Sequence, residues 1–118
     1  MSELRERIQG VIDEVPVALF MKGTPEMIMC GNSQRALDAL RRAGAPVTTI
    51  DILPDPAIRQ ELTAISGWPT IPQVFVRGSF IGGADIVEEL EQSGELDDKL
   101  RESLGEEFAS EERSLSVV

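Results

Sequence analysis

Val17-Ala18-Leu19-Phe20-Met21-Lys22-Gly23-Thr24-Pro25-Glu26-Met27-Ile28-Met29-Cys30-Gly31-Asn32-Ser33 is the stretch on which the fold turns. Its first five residues form a continuous apolar run, the pattern of a strand covered on both faces. Lys22 to Cys30 reads as a loop. From Ser33 to Ala43, Ala36, Leu37 and Leu40 share one face and Gly44 supplies a stop, which predicts a helix. A strand that passes through a loop into a helix places that loop at the strand's carboxyl end, where ligands bind in open α/β sheets.

Working outward, Leu4, Ile8, Val11, Ile12 and Val15 make one apolar stripe at helical spacing, and Pro16 ends that helix just before the strand. Downstream, the β-branched run Pro46 to Ile52 predicts a second strand. Ile58, Leu62 and Ile65 mark a helix that starts near Asp55-Pro56 and ends at Ser66-Gly67. Gln73–Val76 and Ser79–Ile81, separated by Arg77-Gly78, give a hairpin signal. Asp85 to Gln92 is helical up to Gly94, and Leu96, Leu100 and Leu104 suggest one more helix. The order α-β-α-β-α-β-β-α-α predicts an α/β chain with a four-stranded mixed sheet flanked by helices, its first two strands joined by a right-handed crossover. Residues 1–105 form the domain on this reading, and 106–118 an acidic C-terminal tail.

Composition narrows the chemistry. The 118 residues include one Trp, no Tyr and four Phe, so the core has to be aliphatic. With no histidine and one cysteine, Cys30, there can be no Ser–His–Asp or Cys–His nucleophile system, no His-ligated metal and no intrachain disulfide. Covalent chemistry has to run through that thiol. The net charge of −10 is lopsided: residues 1–83 carry −1 and residues 84–118 carry −9. A solvated helix pair and tail accounts for the acid, and the lack of a basic stripe argues against nucleic-acid partners. No apolar run approaches the ~18 residues of a membrane span, and the N-terminus lacks a signal-peptide layout, so no membrane and a cytoplasmic location are expected.

Cys30 lies just before a helix, where unpaired backbone N–H groups and the helix dipole favour a thiolate, and Lys22 adds a positive charge. A buried, inert cysteine among Met27, Ile28 and Met29 is the alternative. At Trp68-Pro69-Thr70-Ile71-Pro72, a cis Ile71–Pro72 bond would turn Thr70-Ile71 toward the thiol; Trp68 reads equally well as a core anchor. Gly82-Gly83-Ala84-Asp85 opens a helix whose N-terminus offers donors for a carboxylate, with Asp85 an acceptor for an amine.

Four collinear segments carry a resemblance: Lys22-Gly23-Thr24-Pro25 ahead of Met27-Ile28-Met29-Cys30-Gly31, then Trp68-Pro69-Thr70-Ile71-Pro72-Gln73, then Gly82-Gly83 followed by Asp85-Ile86-Val87, and last Ser93-Gly94-Glu95-Leu96. Together, over about residues 4–104, they resemble the monothiol glutaredoxins, thioredoxin-fold proteins whose active site usually reads Cys-Gly-Phe-Ser. The resemblance implies a thioredoxin-like glutaredoxin fold that binds glutathione, and a homodimer sharing a [2Fe-2S] cluster, with apo iron-sulfur proteins as clients. It also implies roles for particular residues. Cys30 would be thiolate and cluster ligand, Lys22 and Arg59 would hold the glycyl carboxylate of glutathione, Thr70 and Ile71 would pair with its cysteinyl backbone, and Gly83, Ala84 and Asp85 would take its γ-glutamyl end.

The sequence departs from the family at five positions. Asn32 stands in place of Phe, Thr63 where Lys is common, Ile65 where Tyr is common, Ile28 where Pro is common and Ala84 where Cys or Ser is common. Each lost charge-assisted bond to glutathione is expected to weaken binding by ~1 kcal/mol or more. Cluster carriage is thus weighed against a glutathione-dependent oxidoreductase working through Cys30, of weak activity at most, and against an interaction module that has kept only the fold. With a single cysteine, dithiol disulfide reduction is excluded.

Overall fold

The computed structural model describes residues 2–118. Helix α1 (Glu3–Glu14) starts where the Ser2 side chain accepts the Arg5 N–H. Strand β1 (Val17–Met21) follows, then a small hairpin of β2 (Gly23–Thr24) and β3 (Met27–Ile28), and helix α2 (Gly31–Arg42). Strand β4 (Val47–Asp51) leads to α3 (Pro56–Ser66), capped by Asp55 with Pro56 in its first turn, a position that needs no N–H donor. Strands β5 (Gln73–Val76) and β6 (Ser79–Gly82) precede α4 (Ala84–Ser93) and α5 (Glu95–Leu104), and β7 (Arg113–Leu115) closes the chain. The β5–β6 turn puts Arg77 at φ 47° and Gly78 at φ 85°. Two successive positive φ values fit the tight two-residue turn whose twist matches the flanking strands.

The sheet is mixed and lies between helices, as expected, but it has five strands, in the order β6-β5-β1-β4-β7, where four were predicted. β1 runs parallel to β4 and antiparallel to β5. The extra strand comes from the segment read as an acidic tail, and it pairs parallel to β4 through Thr48–Arg113, Thr49–Ser114 and Ile50–Leu115. Three local features hold it there. The Thr49 and Ser114 hydroxyls lie 2.8 Å apart, Arg41 holds the Glu112 carboxylate through two 2.8 Å bonds, and Val117 is buried beyond the strand. The pairing covers backbone groups that an edge at β4 would expose.

β1 sits at the centre with all five side chains fully buried. Because side chains alternate across a strand, Val17, Leu19 and Met21 pack with Leu37 and Leu40 of α2, Val87 of α4, and Leu96 and Leu100 of α5. Ala18 and Phe20 face the other way, toward Ile8 and Ile12 of α1 and Ile58 and Leu62 of α3. An edge-to-face contact from Phe20 to Phe75 (5.8 Å) continues through Phe80 (5.3 Å) to Trp68 (5.7 Å), so an aromatic file joins the core to the segment before β5.

The acid of the C-terminal third is less solvent-bound than charge counting suggests. Glu88 and Glu91 of α4 and Glu112 before β7 pair with Arg35, Arg42 and Arg41 of α2. Helix α2 therefore gathers part of the negative charge into contacts between elements. No helix among the described residues is long and apolar enough to cross a membrane.

Candidate functional site

The stretch Lys22 to Cys30, expected to be an irregular loop, is folded back on itself. Gly23 pairs with Ile28 and Thr24 with Met27 across the two-residue connection Pro25-Glu26. The hairpin is tied down at its base: the Met29 N–H donates to the Lys22 carbonyl (2.9 Å), and the Gly23 N–H donates to the Asp51 carboxylate at the end of β4 (2.9 Å). Gly23 has φ +95°, and a Cβ there would lie 2.3 Å from the Met27 carbonyl oxygen. Only glycine lets the chain leave β1 and return to deliver Cys30 to the start of α2.

Cys30 is the residue immediately before α2, with extended backbone, and is partly exposed, so the buried and inert alternative does not hold. Partial burial pushes its thiol up. The Ser33 backbone N–H, the Ser33 hydroxyl, the Asn32 backbone N–H and the charge of Lys22 together outweigh that push and bring the thiol below the ordinary cysteine value. Ser33 is fully buried and accepts the Lys22 N–H at 3.1 Å. With its lone pair engaged that way, the hydroxyl proton is free to face the sulfur. The sequence alone gives Ser33 no role; only the fold brings the Lys22 amide onto it.

Alkylation by iodoacetamide should therefore follow a titration whose midpoint lies below the ~8.5 of a free thiol, since only the thiolate reacts and its fraction falls as pH drops through the pKa. Lys22→Ala and Ser33→Ala should each move the midpoint upward. A wild-type midpoint at the free-thiol value would remove the activation argument.

A cleft of about 260 Å³ lies between the first turn of α2, residues 68–72 and the start of α4. Thr70, Ile71, Gly83, Ala84 and Asp85, five of the residues singled out from sequence, meet around it, together with Asn32 from the first turn of α2. Lys22 and Arg59 do not line it. Lys22 is held by its backbone at the base of the hairpin, and Arg59 on α3 donates to the Pro69 carbonyl at 3.2 Å. Cys30 does not line the cleft either, but stands two residues before Asn32, which does.

The wall made by residues 68–72 is firmly set. Ile71–Pro72 is cis, as expected. Gln73, fully buried on β5, donates from one amide nitrogen to the carbonyls of Trp68 (2.9 Å) and Thr70 (3.2 Å). Gln73 was not foreseen as a site residue, and its carbonyl side has no hydrogen-bond partner among the described residues, nor does the buried Trp68 indole N–H. Trp68 is half-buried against Phe80 and forms part of the cleft wall, so it is both anchor and lining. Gly83 explains the Gly-Gly pair, because a Cβ there would sit 3.2 Å from the Pro72 carbonyl and 3.3 Å from the Trp68 indole nitrogen. Its lack of a side chain lets the start of α4 close on this wall.

A network that sequence patterns do not reveal spans the cleft's outer rim. Arg35 of α2 grips Glu88 of α4 at 3.2 and 2.8 Å, reaches the Asp85 carboxylate at 2.8 Å and donates to the Asn32 side-chain oxygen at 3.1 Å. Hydrogen bonding from Arg35 holds the Glu88 carboxyl below the usual carboxylate range. Asn32, which departs from the family's Phe, is thus an acceptor in a polar clasp. The i, i+3 spacings 32/35 and 85/88 were a readable signal, but their meeting across two helices was not.

A partly exposed, activated thiol two residues from the wall of a groove with one helix N-terminus, one exposed carboxylate and one extended wall can bind a small extended molecule bearing its own thiol. Comparison with known proteins agrees with that geometry. The family model described as Glutaredoxin matches residues 17–81. Glutaredoxin 4 of Escherichia coli is 44% identical over 112 residues, covering 95% of this chain and 96% of its own. Monothiol glutaredoxin-S11 of rice is 48% identical over 101 residues, 86% of this chain, which spans only 21% of that longer relative. Among solved structures, a buckwheat glutaredoxin-glutathione complex superposes with a TM-score of 0.74 at 29% identity, over 85% of this chain and 89% of that one.

Proposed function

This chain belongs to the glutaredoxin family, in its monothiol branch, and on that premise we propose that it binds glutathione and carries a [2Fe-2S] cluster between two copies of itself for delivery to apo iron-sulfur proteins, in a reducing, cytoplasmic setting. The observation that carries the reading is the placement of Cys30. An activated, partly exposed thiol stands two residues before Asn32, which lines a cleft whose size and polarity suit a tripeptide, and the buckwheat relative is known as a glutathione complex.

In this reading Cys30 is the thiolate. Lys22 and Arg59, both outside the cleft wall, hold the glycyl carboxylate beyond its open end. Thr70 and Ile71, steadied by Gln73, pair with the cysteinyl backbone. Gly83, Ala84 and Asp85 receive the γ-glutamyl end, its carboxylate at the N-terminus of α4 and its ammonium on Asp85. The donor set also fits the cargo. One cysteine per chain and no histidine give two thiolates from two copies, whereas an all-thiolate [2Fe-2S] cluster takes four. The other two thiolates are supplied by bound glutathione. The domain of residues 1–105 is the unit that does this, with 106–118 an acidic extension packed along its sheet edge.

The depressed thiol pKa also favours a second reading, glutathione-dependent oxidoreductase chemistry. The Cys30 thiolate would attack the glutathionyl sulfur of a mixed disulfide, releasing the protein thiolate and forming a Cys30–glutathione disulfide. A second glutathione thiolate would then attack the glutathionyl sulfur, restoring Cys30 and leaving glutathione disulfide. Both readings need the same groove.

Amide chemical-shift titration with glutathione tests that groove. Saturable shifts are expected at Thr70, Ile71, Ala84 and Asp85. A response confined to the groove of about 340 Å³ between β2 and β7, which Thr24 and Leu115 line, would contradict the assignment, as would no response at all.

A further inference from the structure

We infer that Arg35 sets the charge of the γ-glutamyl subsite and is a specificity-determining residue for that end of the ligand, held in place by Asn32 and Glu88. The inference rests on the glutathione reading above and assigns to it a residue outside the family motif.

Without Arg35 the mouth of the cleft would present two carboxylates of one helix face, Asp85 and Glu88, beside the N-terminus of α4. That is a poor place for a ligand carboxylate, because the attraction of the helix N-terminus would be set against two negative charges a few ångströms away. The guanidinium cancels one of them. Its Nε and Nη2 grip Glu88, Nη2 also reaches one Asp85 oxygen at 2.8 Å, and Nη1 donates to Asn32 at 3.1 Å. Arg35, Asp85 and Glu88 together leave a net charge of −1. The second Asp85 oxygen, on a side chain 89% exposed, remains for an ammonium.

The geometry matches a group that carries an ammonium and a carboxylate on the same carbon, as the γ-glutamyl end of glutathione does. The ammonium goes to the free Asp85 oxygen and neutralises the remaining charge. The carboxylate goes to the α4 N–H groups, flanked by Arg35. Asn32 has a part in this: its side-chain oxygen accepts the Nη1 proton and so helps fix the plane of the guanidinium.

The test compares glutathione with cysteinylglycine, which lacks the γ-glutamyl group, on wild type, Arg35→Gln and Arg35→Lys, each checked for an unchanged melting profile. Because these groups are exposed and screened, Arg35→Gln should weaken glutathione binding by about three- to fivefold and leave cysteinylglycine unaffected. Arg35→Lys, which keeps the charge without the fork, should recover part of the loss. The difference between wild type and Arg35→Gln should shrink as salt rises. Unchanged or tighter glutathione binding by Arg35→Gln, while wild type still prefers glutathione over cysteinylglycine, would overturn the inference and leave the glutathione reading intact. A wild type that binds both peptides equally would overturn the γ-glutamyl assignment itself, and this inference with it.

Discussion

Cys30→Ser is expected to lose all visible absorption after anaerobic reconstitution with iron, sulfide and glutathione, to stay monomeric, and to form no mixed disulfide with glutathione disulfide. The substitution replaces a soft, polarizable thiolate by a hydroxyl that remains protonated at neutral pH and is a poor ligand for iron-sulfur clusters. Stability should move little, and if anything upward. Cys30 is the N-cap of α2, where the Asn32 and Ser33 N–H groups face its sulfur, and serine, among the preferred N-cap residues, can accept from the same groups. Loss of function with an equal or slightly higher urea midpoint therefore separates the chemistry of the sulfur from its contribution to folding. Residual cluster in the serine variant would mean that the ligand lies elsewhere.

Gly23→Ala is expected to destabilise the protein by about 3 kcal/mol, a large share of the ~5–15 kcal/mol that hold a domain together. Two costs add. The backbone at φ +95° is one that L-residues avoid, and the new methyl would meet the Met27 carbonyl oxygen at 2.3 Å and the Met29 nitrogen at 3.0 Å. These are backbone atoms, so relief requires the β2–β3 pairing to open, and with it the path that brings Cys30 to α2. Urea unfolding should report the loss, and cysteine alkylation at neutral pH should slow in the same variant. Gly10→Ala is the control. Gly10 sits within α1, where an added methyl group would find nothing within 4 Å, and alanine there should raise stability by about 0.5–1 kcal/mol. If both variants unfold at the wild-type midpoint, the hairpin is not what positions the thiol.

Local patterns carried most of the architecture. β1 was legible residue for residue because a strand buried on both faces must be apolar throughout, and Val17 to Met21, directly after Pro16, is too short a run for a buried helix. Helix α3 announced itself through Asp55-Pro56 at one end and Gly67 at the other, where capping chemistry is specific to position. What stayed hidden depends on partners distant in the chain. β7 is three residues long in an acidic stretch, and its pairing exists because β4 offers an edge and Arg41 a partner for Glu112. The β2–β3 hairpin has only two residues in each strand, too short for any alternation to show.

The site divides along the same line. Cys30, Thr70, Ile71, Gly83, Ala84 and Asp85 lie in contiguous motifs whose residue types already suggest a thiolate, an extended wall and an anion-binding helix start. Ser33, Gln73 and Arg35 act through atoms on other elements: the Lys22 amide, the Trp68 and Thr70 carbonyls, and the Asp85 and Glu88 carboxylates. Asn32 shows the difference most clearly. As a sequence it is a missing aromatic; in the fold it is an acceptor for Arg35, joining the two helix N-termini that flank the cleft.

Native mass spectrometry of the protein reconstituted anaerobically with iron and sulfide, with and without glutathione, tests the central claim most directly. The account predicts a dimer whose mass includes one [2Fe-2S] cluster and two glutathione molecules, formed only when glutathione is present. A colourless monomer in excess glutathione, or the same cluster-bound dimer assembled with no added thiol, would contradict it.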